Sequence, residues 1–355
     1  MRETSLAFLH RLLDAPGPSG FETLPARVWR AEAEGIAARV STDVSGNSTA
    51  VLHPDGAPRI MLAGHIDEIG LMIVHVDDNG FLSFSTIGGW DSQVLVGQRI
   101  SIVTKAGPIP GVVGKKAVHL IKPEEREEVS KVSDLWIDIG AQNKKDALRR
   151  VRIGDPAVIA GTSVALPNKR IASRSIDNRI GAFVVLEALR YLKRRRFPAA
   201  VFAVATAQEE IAWSGGGART SAAEIDPRIA LVVDVTHATD APGTDKKRVG
   251  DFKLGKGPVL SRGSAVNPRV FELLAETAER EKIPYSIQAA PADTGTDADA
   301  ISTALRGVAT GLISVPCRYM HTPNEMVALE DLDRAAKLLA AVAVRLKPEA
   351  DFIRS

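Results

Sequence analysis

The chain has 355 residues, of which 45% are hydrophobic and 25% charged, with 45 basic against 43 acidic side chains and a net charge of +2. This is the composition of an ordinary soluble globular protein of about two domains, and its interspersed charge gives no reason to expect a nucleic-acid or membrane partner. No run nears the ~18 apolar residues of a membrane span, Met1-Arg-Glu-Thr-Ser5 does not open a signal peptide, and the single Cys317 excludes an internal disulfide, so a cytoplasmic location is expected.

Thr4 or Ser5 can cap a first helix running to about Asp14, where Ala15-Pro-Gly-Pro18 stops it. A second helix covers roughly Glu22 to Arg39, and strands follow near residues 39–44, 49–53 and 59–63. From about 71 to 162 the texture changes to short β-branched segments broken by Gly and Pro, such as Arg99-Ile-Ser-Ile-Val103 and Leu135-Trp-Ile-Asp-Ile139. That is the pattern of a small β-barrel or sandwich, with helix expected only at Pro123–Ser130 and Lys144–Arg150. After about residue 165 helices and strands alternate again. Helices are expected at Arg179–Arg194, 297–305 and 330–346, and another opens at Asn267-Pro268, with proline at its first position, and ends near Glu281. Strands are expected at 199–206, 229–234, 284–289 and 308–315. The predicted fold is therefore α/β: a mixed central sheet with helices on both faces, formed by 1–70 and 163–355, and an inserted small β-barrel over 71–162. Lys193-Arg-Arg-Arg196 closes a helix and is read as a solvated, dipole-complementing end.

Metal-seeking side chains stand just after the apolar runs. His65 follows Arg59-Ile-Met-Leu-Ala-Gly64, Glu209 and Glu210 follow the strand from Ala199, Asp234 ends Ile229-Ala-Leu-Val-Val, and His321 comes soon after Leu312-Ile-Ser-Val315. Ligands of open α/β sheets bind outside the carboxyl ends of the strands, so these groups point to one place. Asp177, at the mouth of a helix, is a fifth candidate. Two histidines and several carboxylates suit zinc, cobalt or manganese. His65 and Asp67 are two apart and share a face in extended chain, so Asp67 can accept the second ring N–H and fix the tautomer. Adjacent acids after an apolar strand repel one another unless a cation offsets them, and only a turn lets both reach one site. One can then bind metal while the other takes a proton from metal-bound water. His237 competes with Asp234 but is read as a loop residue, and Cys317 as a small buried hydrophobe. Asp293-Thr-Gly-Thr-Asp-Ala-Asp-Ala300 lacks the terminal glutamate of a calcium loop and is read as a turn capping a helix near Asp297.

Taken together, Gly64-His-Ile-Asp-Glu-Ile-Gly70, Ser175-Ile-Asp-Asn-Arg179, Gln208-Glu-Glu210, Asp234-Val-Thr-His-Ala-Thr-Asp240, Gly295-Thr-Asp-Ala298 and Arg318-Tyr-Met-His-Thr-Pro-Asn-Glu-Met326 resemble the tetrahedral aminopeptidases of the co-catalytic zinc exopeptidase clan. The resemblance spans nearly the whole chain. It implies two divalent ions per subunit: one held by His65 and Asp234, the other by Glu210 and His321, with Asp177 bridging. It also implies Glu209 as general base, Asp67 as the partner behind His65, a PDZ-like dimerisation domain in the insert, and dimers assembled into a tetrahedral dodecamer. The expected activity is removal of the N-terminal residue of short peptides. Some relatives carry endoglucanase or cellulase labels, but a glycosidase needs two carboxyls flanking the sugar bond, usually with aromatic platforms, and aromatics are 5% here. A non-catalytic assembly or peptide-binding role is the other alternative. The chain departs from the family string after Glu210, where it has Ile211-Ala-Trp-Ser-Gly-Gly-Gly-Ala218, and at Cys317, where a hydroxyl residue is frequent.

Overall fold

A computed structural model describes residues 1–122, 127–211 and 215–354. The chain opens with α1 (Glu3–Asp14) and α2 (Thr23–Glu34), then enters β1 (Arg39–Thr42), β2 (Ser48–Leu52) and β3 (Arg59–His65). Six strands follow: β4 (Gly70–Val76), β5 (Leu82–Ile87), β6 (Arg99–Thr104), β7 (Gly107–Gly114), β8 (Trp136–Asp138) and β9 (Pro156–Ile159), with the short α3 (Lys144–Leu148) before the last. β10 (Val164–Leu166) and β11 (Arg170–Ser173) lead into α4 (Ile176–Leu192) and β12 (Ala200–Thr206). The remainder is α5 (Gly216–Ile225), β13 (Ile229–His237), α6 (Lys246–Val249), β14 (Val259–Gly263), α7 (Pro268–Arg280), β15 (Ser286–Ala290), α8 (Asp297–Ser302), β16 (Ala309–Cys317), β17 (Glu325–Ala328) and α9 (Leu329–Arg345).

The central sheet has eight strands in the order β1-β2-β12-β3-β13-β16-β14-β15. Its middle four, β12, β3, β13 and β16, are parallel and bury nearly every side chain, so they read as unbroken apolar runs. β2 and β14 join this parallel set antiparallel, which makes the sheet mixed. α1, α2, α4, α7 and α9 pack their apolar stripes on one face, around Phe8, Trp29, Phe183, Leu274 and Leu339. α5 and α8 cover the other through Ala218, Ala222, Ile225, Ala298 and Ile301. β4 to β9 close into a barrel in the order β4-β5-β8-β7-β6-β9, with a separate core of residues such as Leu71, Ile100, Ile102 and Ile137. The α/β architecture with an inserted barrel is thus the one expected from sequence.

Several local expectations change. Neither Thr4 nor Ser5 caps α1, which starts at Glu3 without a side-chain cap; buried Ser5 instead donates its hydroxyl to Glu187 on α4 at 2.8 Å. α2 ends at Glu34, short of Arg39, with Gly35 following. The helix expected at Pro123–Ser130 falls partly outside the described residues, and residues 127–130 are turn and irregular chain. The opening of α7 is as expected: Pro268 takes its first turn and Asn267 accepts from the amides of Arg269 and Val270.

Two glycines let α4 lie directly on β3. A Cβ on Gly64 would come 2.4 Å from the backbone carbon of Gly181, and one on Gly181 would come 2.6 Å from the Val233 carbonyl oxygen. Asn178 completes this contact by donating to that same carbonyl at 2.7 Å and accepting from the Gly181 amide at 3.0 Å. The start of α4 is thereby pinned across β3 and β13, one residue from His65, Asp177 and Asp234.

Candidate metal and catalytic site

The carboxyl ends of the four parallel strands converge as expected. His65 is the last residue of β3 and pairs in register with Thr206, the last of β12. Beyond β12 the chain turns at Gln208, whose φ is +62°, a left-handed conformation uncommon outside glycine. That turn brings the adjacent Glu209 and Glu210 to one side. Asp177 and Asn178 depart from helical geometry, so the regular helix begins at Arg179 and the Asp177 side chain is set at its mouth.

The Asp177 carboxylate lies between the two imidazoles. Its Oδ1 is 3.3 Å from His65 Nε2 and its Oδ2 is 3.4 Å from His321 Nε2. His65 Nε2 also lies 3.7 Å from Glu209 and 4.0 Å from Asp234, while His321 Nε2 is 3.4 Å from Glu210 Oε1. Two groups of potential ligand atoms each fall within 4.8 Å of one another: His65, Asp177 and Glu210, and His65, Glu209 and Asp234. All five candidate ligands and Glu209 are thus in one place. Glu209, expected from the resemblance to act as base, stands as near His65 as a ligand would.

Asp67 is fully buried behind this cluster. Its Oδ1 is 3.2 Å from His65 Nδ1, and its two oxygens accept from the amides of Glu209 at 3.2 Å and Glu210 at 3.1 Å. One carboxylate therefore steadies both the imidazole and the peptide carrying the two glutamates. Sequence spacing showed only the first of these contacts. It also gave no role to Glu22, which accepts from the amides of Gly20 at 2.7 Å and Gln208 at 3.1 Å. Asp297 was expected only to open a helix, as it does at α8; it is also buried at the site and accepts from the Thr206 hydroxyl. His237 is not the loop residue expected but the exposed last residue of β13, paired with Cys317, and Cys317 is buried with its thiol turned to the Arg318 carbonyl. Trp213 and Ser214 lie outside the described residues.

Four carboxylates against two imidazoles in a buried site leave an excess of negative charge. Burial pushes Glu209 up to about 10, with Asp234, Asp297 and Glu210 adding to the rise and His65 opposing it. Burial likewise raises Glu210, and it lifts Asp234 well above the ordinary carboxylate range. Hydrogen bonds to Asp177 and Glu210 raise His321 to about 11. Burial alone would lower His65, but the charges of Glu209 and Asp67 and its contacts with Asp177 and Asp67 hold it well above its usual value. Asp177 goes the other way: burial is outweighed by its hydrogen bonds with His321 and His65, and its carboxyl stays well below the usual range.

A divalent-ion pair fits this donor set. The cluster has the charge to offset two cations, and Nε2 of both histidines faces the carboxylates. Glu210 Oε1 is buried, and its approach to His321 Nε2 at 3.4 Å leaves it free to face an ion. A cleft of about 640 Å³ opens beside the cluster, lined by Glu209, Glu210, His321 and Asp297 and by Gly89 from the barrel side. Gly88 and Gly89 approach Glu210 and His321 so closely that a Cβ on either would stand 3.3 Å from those side chains. The barrel thus supplies one wall of the cleft, and none of the candidate ligands lies on it. A larger cavity of about 860 Å³ lies elsewhere, beside Arg99 and Arg174, away from the cluster.

The M42 glutamyl aminopeptidase family matches residues 46–338. The chain belongs to that family. This M42 chain is 34% identical over 345 residues to a lysyl aminopeptidase of Pyrococcus furiosus, covering 96% of the chain and 97% of the relative. Its structure superposes with a TM-score of 0.93 on a TET aminopeptidase from a marine sediment archaeon of the Thaumarchaeota, at 34% identity and 98% coverage of each chain. It superposes at 0.84 on the TET1 peptidase of Pyrococcus horikoshii, described as assembling into a tetrahedron or a large octahedral shell, at 31% identity over 96% of this chain and all of the other.

The shifted groups set how the metal-free protein responds to pH. Glu209, at about 10, and His321, at about 11, hold protons in the folded state that the unfolded chain has released. Stability from these groups is complete below their unfolded values, near 4.5 and 6.5, and is lost as pH rises toward their folded ones. Asp177 acts oppositely, and its contribution is lost only in acid. The denaturation midpoint of chelator-treated protein is therefore expected to fall between about pH 6 and about pH 9. A midpoint that is flat or rises over that window contradicts the assignment.

Proposed function

We propose that this chain is a metal-dependent aminopeptidase that removes the N-terminal residue of short peptides, using two divalent ions, zinc or cobalt, with manganese also chemically suited. The observation that carries the proposal is the Asp177 carboxylate, with one oxygen toward His65 and the other toward His321. That is the disposition of a bridging ligand. His65 and Asp234 would hold one ion, and Glu210 and His321 the other. Bound there, the ions would lower the pKa of a water molecule and polarise the scissile carbonyl.

The remaining steps fall to side chains. Glu209 borders the open cleft and is left over once the other carboxylates take ligand roles. We assign it as the base that takes the proton of the attacking water and returns it to the leaving amine. Asp67 keeps His65 oriented and Glu209 in reach. Among the described residues lining the cleft there is no aromatic platform, and the acids stand among imidazoles, so the glycoside hydrolase alternative is not favoured. Gathered acids and imidazoles around an open cleft also weigh against a purely non-catalytic assembly protein.

We further assign residues 1–70 and 163–355 to the catalytic domain and 71–162 to a PDZ-like dimerisation domain. Support comes from the closed barrel, which holds exposed Val112 on β7 and exposed Val118, Leu120 and Val129 in the segment between β7 and β8. The relatives' assemblies favour a homo-oligomer of dimers, most simply a tetrahedral dodecamer in a cytoplasmic setting. Light scattering on the native protein should then give a dodecameric mass; a monomer with full peptidase activity refutes the assembly while leaving the chemistry intact.

Glu209→Gln is expected to keep both ions and the fold while turnover falls by at least the roughly 10²–10⁴ typical of lost acid–base catalysis. Elemental analysis and peptide hydrolysis on the same preparation check this. Near-normal turnover at full metal content would mean that another group is the base.

A further inference from the structure

Beyond the candidate ligands, one carboxylate joins the two halves of the site. Glu325 is the first residue of β17, paired with Ser173 on β11, immediately before α4 begins. It is 1% exposed. Its Oε2 accepts from the amide of Asp177 at 2.9 Å, and its Oε1 accepts from the amide of His321 at 2.8 Å. It makes no ion pair among the described residues. The loop it closes runs from Arg318 to Met326, which exchange two backbone hydrogen bonds of 2.9 Å each. Within that loop Tyr319 and His321 both have positive φ, +62° and +59°. Non-glycine residues hold that conformation only where their surroundings enforce it.

A buried carboxylate without a cation is costly, and a neutral or apolar side chain of similar size would be the cheaper occupant of such a position. What a neighbour could not supply is two acceptors on one rigid group for two amides that belong to different elements. Those amides belong to the very residues whose side chains meet at 3.4 Å.

We propose that Glu325 is a positioning residue that fixes the separation of Asp177 and His321 by holding both of their backbone amides on one carboxylate. This inference rests on the two-ion reading above. Glu325 touches neither substrate nor ion. It acts by setting the spacing at which the bridging carboxylate and the His321 imidazole are presented, which bears most on the ion on the Glu210–His321 side, since both held residues would be ligands of that ion.

Glu325→Gln tests this, because the amide keeps one acceptor oxygen and turns an N–H donor toward the other backbone N–H. Stripped wild-type and variant protein are titrated with Zn²⁺ against a chromophoric chelator, and with Co²⁺ while the visible spectrum is followed. Circular dichroism serves as the control for folding. The expected result is a folded variant in which one of two ions binds about 10–100-fold more weakly, the usual effect of losing an outer partner of a ligand, while the other binds as in the wild type. The cobalt spectrum should change for that ion alone. Glu325→Asp, which keeps the carboxyl group but shortens the reach by one methylene, is expected to behave similarly. Two ions bound with wild-type affinities and unchanged spectra in Glu325→Gln overturn the inference and leave the two-ion site standing. Failure of both variants to fold makes Glu325 a purely structural residue and also overturns it. A wild-type protein that binds no ion removes the two-ion reading itself, an outcome distinct from the other two.

Discussion

Like charges packed in a buried space govern this molecule. Asp177, Glu209, Glu210 and Asp234 gather around two imidazoles at one edge of a sheet whose strands are otherwise apolar. Ionised together without cations they repel one another, and burial multiplies the cost. The strong upward shifts of Glu209 and Asp234 express that cost as retained protons. A divalent pair, as proposed above, would relieve it by replacing protons with a stronger positive charge. The rest of the site can be understood as what keeps the carboxylates close despite their repulsion: Gly64 against Gly181 under α4, Asn178 fastened to β13, and Asp67 behind the Glu209–Glu210 peptide.

The parallel strands make this convergence possible. β3, β12, β13 and β16 run the same way, so their carboxyl ends share one edge, and each can deliver a polar group there without breaking its apolar run. The barrel leaves the sheet after β3 and returns before α4, which puts its Gly88-Gly89 turn over Glu210 and His321. Fold and site are coupled here: the insert walls the cleft, and the central sheet presents the gathered carboxylates and imidazoles.

Much of this was legible in the sequence because it follows from short-range rules. Buried strands show as apolar runs, strand ends as the polar residues that stop them, and α7 by Asn267-Pro268. The turn after β12 was foreseeable because two adjacent glutamates cannot otherwise face one way. What could not be seen depends on distant partners. Ser5 sits where a cap is expected, yet it bonds to Glu187, 182 residues away. Asp67 looked like a partner of His65 alone, since the amides of Glu209 and Glu210 reach it only through the fold. Glu22 is far from the site in sequence and beside it in space. Glu325 stood in a recognised motif without a role, because hydrogen bonds to backbone amides leave no trace in residue type. α5 begins in a glycine run that carries no helix signal, with Gly215 at φ +90° as its first flanking residue.

The central claim is that the acidic cluster exists to hold a pair of catalytic ions. Elemental analysis of the native protein, followed by stepwise return of Zn²⁺ or Co²⁺ to chelator-stripped protein while peptide hydrolysis is recorded, tests it most directly. The account predicts two ions per chain, loss of hydrolysis on stripping, and full recovery only as the second equivalent is added. Undiminished hydrolysis in stripped protein, or full activity with a single ion per chain, would contradict it.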